Sequence, residues 1–140
     1  MSVVAQTTRV LLEVRAGHRC EYCLLPMRGQ VATFPIDHII PRIEDGSSDL
    51  ENLAVTCGHC NGRKWKHTCS LDPVTGDNVA LFHPRRDRWK DHFQWSAGDP
   101  AVLEGISPTG RATVNRLEMN HPKVIDTRRV LLALGLFANS

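Results

Sequence analysis

Two Cys-x-x-Cys pairs, Cys20/Cys23 and Cys57/Cys60, stand with 33 residues between them. One such turn brings two thiolates to a single ion without strain, and a second completes the tetrahedral thiolate shell that zinc prefers. The interval is longer than in a simple zinc ribbon, so one metal would staple the two ends of a sizeable insert. A thioredoxin-like redox role would call for one pair in a βαβ setting, not two. Cys69 is left over and reads as a buried or neutral thiol. Inside the insert, Asp37-His38 sets a hard carboxylate beside an imidazole that is largely neutral, and hence basic, near physiological pH. Neighbours on a regular strand point to opposite faces, so these two converge only if the strand ends or bends there, which the nearby Pro41 favours.

Asp37-His38-Ile39-Ile40-Pro41, then Glu51-Asn52-Leu53, then Asn61-Gly62-Arg63-Lys64 directly after the last cysteine, closely resemble the HNH endonuclease family when taken with the four cysteines. The likeness spans residues from about 15 to 67 and is to the four-cysteine type common in bacteria. It implies a ββα-metal core with a structural Zn2+ held by the four cysteines, whose closed thiolate shell does no chemistry of its own. By the same resemblance His38 is the general base, Asp37 and Asn61 hold a catalytic divalent ion, and Asn52 ties the loop that orients the histidine. Asn61 stands where a second histidine is often found, and its amide oxygen favours Mg2+ or Mn2+. His59 is a rival ligand, but positions 59 and 61 differ by about 200° on a helix and cannot both face one ion. The expected activity is one-metal hydrolysis of phosphodiester bonds in DNA, with RNA left open. The alternative is a non-catalytic, zinc-stabilised nucleic-acid-binding module, which would not need an Asp-His pair beside an asparagine at a helix start.

A net charge of +2 does not by itself point to nucleic acid. Its distribution says more, because residues 28–51 hold five acids against two cations, whereas 61–67 holds Arg63, Lys64 and Lys66 with no acid. That basic stretch suits phosphates. Further on, Arg85, Arg86, Arg88 and Lys90 are interleaved with Trp89 and Trp95. Arg85 and Arg86 are read as further backbone contacts, although aromatics are core residues more often than base platforms, and packing is the favoured reading of the indoles.

These residues need a scaffold, and 140 residues with 41% hydrophobic and 23% charged side chains suit an α+β protein of domain size. The pattern predicts a helix over 7–16, with Val10, Leu11 and Val14 on its apolar side, Thr7 or Thr8 as cap and Gly17 as stop. A strand follows over 31–40, with Pro35 marking an edge or bulge, then a turn-rich loop over 41–49, a returning strand over 53–56 and a short helix from about Cys60 to His67. Residues 1–70 are thus read as the nuclease module. Residues 71–140 are read as a mixed α/β extension packed on it, with a turn at 73–77, a strand at 102–106 and helices at 113–119 and 123–134. The last helix serves the core or a dimer contact, so a monomer or homodimer is expected. No stretch approaches the roughly 18 apolar residues of a membrane span, and Met1 to Thr8 lacks both a basic lead and an apolar run. A reducing cytoplasm is therefore the expected compartment, and five cysteines there argue against disulfides.

Overall fold

The computed structural model describes residues 4–137, so the opening of the segment read for a leader, and Ala138 at the end of the last apolar run, lie outside the described residues. Helix α1 (Gln6–Arg15), strands β1 (Ile36–His38) and β2 (Leu53–Val55), and helix α2 (Gly58–Lys64) make up the cysteine-bearing half. Strands β3 (Cys69–Leu71) and β4 (Asn78–Ala80), helix α3 (Trp89–His92), strands β5 (Phe93–Trp95) and β6 (Leu103–Gly105), and helices α4 (Pro108–Arg116) and α5 (Pro122–Ala133) follow. The class is α+β, and the insert runs strand, loop, strand, helix. Among the described residues the strands form three separate antiparallel pairs, β1-β2, β3-β4 and β5-β6. A lone two-stranded ribbon is marginal in water, so each must borrow stability from helices and a shared core.

That core runs through both halves. Leu12, Tyr22, Leu53 and Val55 belong to one buried cluster with Phe82, Phe93, Leu103, Leu117 and Leu131. The Trp89 indole N–H donates to the Tyr22 carbonyl at 2.8 Å, and the Tyr22 and Phe82 rings meet edge to face at 6.2 Å. Trp89 and Trp95 thus act in packing, as the aromatic pattern favoured. No described helix is long and apolar enough to cross a membrane.

Several boundaries differ from the sequence-based expectation for physical reasons. Helix α1 starts at Gln6 with no side-chain cap, and Val10, Leu11 and Val14 are exposed. Its inner face is the 9–12–16 row: Leu12 and Ala16 are buried, and Arg9 donates to the Phe34 carbonyl at 2.8 Å. The strand expected over 31–40 contracts to three residues, because Val31 lies in solvent and Pro35 has no N–H for a ladder. Helix α4 begins at Pro108, earlier than expected, with Ser107 Oγ accepting from the Gly110 N–H at 2.9 Å. The β3-β4 hairpin was not anticipated. Its turn is built by Asp72, whose carboxylate accepts from the Val74 N–H and the Thr75 hydroxyl and pairs with Arg111 at 2.9 Å.

Candidate active site and metal centre

Cys20 and Cys23 come from the turn after α1, whereas Cys57 precedes α2 and Cys60 lies in its first turn. All four sulfurs are buried and lie within 4.8 Å of one another. The Cys23 and Cys57 sulfurs are 3.8 Å apart, far beyond a disulfide. About 3.8 Å is the edge of a tetrahedron whose metal–sulfur bonds are about 2.3 Å, so the donor set fits zinc. Amides help to hold the sulfurs: the Cys23 N–H donates to Cys20 Sγ at 3.5 Å and the Cys60 N–H to Cys57 Sγ at 3.4 Å. Burial pushes the Cys20 thiol up, while hydrogen bonds with the other thiols, together with the field of Arg128, pull Cys23 down.

A second set of side chains lines an open cleft of about 610 Å³ that includes Asp37, His38, Pro41, Arg42, Asn61 and Lys66. Asp37 pairs across the ladder with Ala54, and His38, the last residue of β1, pairs with Leu53. The strand stops there, which lets neighbours from opposite faces reach one cleft. Asp37 is almost fully buried, and among the described residues its side-chain polar contacts fall on Oδ2, from Tyr22 Oη at 3.1 Å and Lys64 Nζ at 3.0 Å. Burial pushes its carboxyl above the usual range, and the Lys64 ammonium and Tyr22 hydroxyl oppose that shift. Asn61 lies in the first turns of α2 and lines the same space.

His38 is held from the loop. Its Nε2 lies 3.1 Å from Ser48 Oγ, and Arg42 donates to the same oxygen at 3.2 Å. Burial first, and the Arg42 guanidinium next, keep the imidazole below its ordinary range. The loop itself is closed by Asn52, whose Oδ1 accepts from the Ile40 N–H at 2.8 Å while Nδ2 donates to the carbonyls of Ile40 at 2.9 Å and Ser47 at 2.7 Å. Gly46 permits this closure, since a Cβ there would collide with the Ile40 carbonyl oxygen.

Residues 20–67 match the family model for HNH endonuclease. No curated protein and no solved structure matches the chain. The matched stretch contains Cys20, Cys23, Cys57 and Cys60, the Asp37-His38 pair, Asn52 and Asn61.

The basic residues fall less neatly. Lys64, expected at a phosphate, is buried: besides Asp37, its ammonium donates to the Ile39 carbonyl at 3.0 Å. Arg85 is also turned inward, ion-paired with Glu21 beside the first cysteine turn, and burial lowers its guanidinium to about 10. Arg63 pairs with Glu118 at 3.1 Å, whereas Lys66 and Arg86 remain exposed. His59 turns to the Glu118 carbonyl at 2.8 Å, away from the cleft that Asn61 lines. Sequence reasoning missed Tyr22, Arg42 and Ser48, whose parts depend on contacts across the insert and carry no spacing signal.

Proposed function

We propose that the HNH module hydrolyses phosphodiester bonds of DNA with one divalent cation, Mg2+ or Mn2+, at Asp37 and Asn61. The observation that carries this reading is that Asp37, His38 and Asn61 line a single cleft. When bound there, the cation would offset charge developing on the phosphate and the leaving oxygen. Oxygen donors suit such an ion, and among the described residues the hydrogen bond from Tyr22 and the ion pair with Lys64 both fall on Asp37 Oδ2 and not on Oδ1.

His38 takes the proton of the attacking water. Ser48 Oγ accepts from Arg42 and, in the same reading, from Nε2–H of the imidazole, which leaves Nδ1 unprotonated as the base. Lys64 positions Asp37, and Asn52 fixes the loop from which Ser48 reaches His38. The cysteine centre, with zinc, is structural. Residues 71–140 complete the core of the module and do not form an independent unit. Cysteines that serve as zinc ligands and not as disulfides suit a reducing cytoplasm.

Purified protein is expected to cut plasmid DNA when Mg2+ or Mn2+ is added, and His38→Ala to lower the rate at least a hundredfold with bound zinc unchanged. A base must be neutral, and the His38 pKa is lowered, so wild-type activity should persist on acidification below about pH 6.5 before it is lost. Undiminished cleavage by His38→Ala would overturn the mechanism. Salt-sensitive DNA binding without metal-dependent cleavage would favour a pure binding module.

A further inference from the structure

We propose that Trp65 is a base-stacking platform of the cleft, so that the preferred substrate is single-stranded or carries an unpaired base next to the scissile phosphate; this rests on the nuclease reading above. Of the eight Phe, Tyr and Trp side chains, seven are buried or half-buried, and Trp65 alone lies open, at 65% exposure. Its position is specific. Trp65 closes α2 one turn after Asn61, its N–H donating to the Asn61 carbonyl at 3.0 Å, and its side chain lines the same cleft as Asp37 and His38.

The chain holds this indole in place against two local preferences. Its φ of 46° is in a region that a bulky residue rarely adopts, and an exposed indole forfeits the burial that the core gives Trp89 and Trp95. Lys66 Nζ sits 4.4 Å from the ring centroid, and the His67 ring meets the indole edge on at 5.9 Å. From the loop side of the cleft comes Ile43, also exposed at 74%, with Arg42 next to it. Each apolar side chain thus has a cation as its chain neighbour.

Nucleic acid matches that alternation, with phosphates for Arg42 and Lys66 and the flat face of a base for the indole. In an intact duplex every base face is already stacked, and a side chain reaches one only by unstacking a step. A bulge, a flap or a single strand offers that face at little cost. A reader of paired sequence would instead need polar groups aimed at base edges, whereas the large apolar side chains that this cleft leaves exposed are Trp65 and Ile43.

The test uses zinc-loaded His38→Ala protein with Mg2+ and three oligonucleotides: a paired duplex, the same duplex with one bulged 2-aminopurine, and a single strand. The bulged duplex and the single strand should bind about tenfold more tightly than the paired duplex, with 2-aminopurine emission quenched on binding. Adding Trp65→Ala should erase both effects, and Trp65→Phe should keep most of the preference. Trp65→Gly, which suits the positive φ, should behave as Trp65→Ala and guards against a folding artefact; zinc content and circular dichroism verify each protein. A preference unchanged by Trp65→Ala and Trp65→Gly, or tighter binding to the paired duplex, would overturn the proposal. Cutting that depends on His38 alongside a preference that ignores Trp65 would sink this inference and leave the nuclease reading standing. Metal-dependent cutting that ignores His38, or no binding to any of the three oligonucleotides, would overturn both.

Discussion

Lys64 is a buried cation at the end of α2, where the neighbouring Arg63 is only half-buried and pairs with Glu118. The Lys64 side chain is about 2% exposed, and it is held by the Asp37 carboxylate and two backbone carbonyls. Removing one partner of a buried ion pair leaves the other desolvated and uncompensated, which typically costs about 3–5 kcal/mol. Lys64→Met should therefore lower the thermal midpoint strongly and impair cleavage through Asp37, whereas Lys66→Met, at an exposed position, should leave the midpoint within a degree or two. Equal midpoints for the two variants would disprove the positioning role. The sequence marked Lys64 as basic and one turn from Asn61, which is correct as spacing. Whether a lysine meets a phosphate or a carboxylate depends on what lies across the fold. Asp37 is 27 residues away in the chain, and no local pattern signals that meeting.

At the scale of elements, the loop between β1 and β2 behaves as a small closed structure. Asn52 bonds it at three points, Gly46 lets it pass against the Ile40 carbonyl, and Ser48 reaches out of it to His38. A methyl group at 46 would force the backbone apart, an overpacking that typically costs about 1–3 kcal/mol. Gly46→Ala should thus reduce cleavage far more than it reduces zinc affinity, because the strain falls on the loop and not on the cysteines. Comparable losses in both would count against that division. Motif-bearing elements were legible in the sequence: β1, β2 and α2 fall at or near their expected positions because turns, cysteines and β-branched residues mark them locally. The face of α1 was not, since a helix that buries one leucine and anchors with Arg9 and Arg15 shows its apolar row to water. The β3-β4 hairpin escaped for a similar reason, its three-residue strands being half exposed and held by Arg111 and Arg116 from α4.

Across the whole molecule the second half supplies charge as well as packing. Arg128 of α5 is fully buried, with its guanidinium donating to the carbonyls of Ala101 at 2.8 Å and Met119 at 2.5 Å, and it stacks on Trp95 at 5.3 Å. No carboxylate pairs with it among the described residues, and its field favours the Cys23 thiolate. Stripping the zinc with a chelator should accordingly loosen both halves in one transition, read as simultaneous loss of near-ultraviolet dichroism and of protection across residues 81–131 in hydrogen exchange. Retained protection in that stretch after metal removal would show that the extension stands alone. Glu21, beside the first ligand cysteine, joins the two halves in a single side chain: one oxygen accepts from the Val55 N–H at 2.8 Å and the other meets Arg85. For protein engineering, the motif boundary is therefore a poor place to cut. A graft of residues 20–67 into another scaffold would carry every ligand and the proposed base, yet arrive with Tyr22 uncovered and Glu21 lacking its cation. The recipient would have to provide an aromatic lid and a guanidinium before the transplanted cleft could keep its shape.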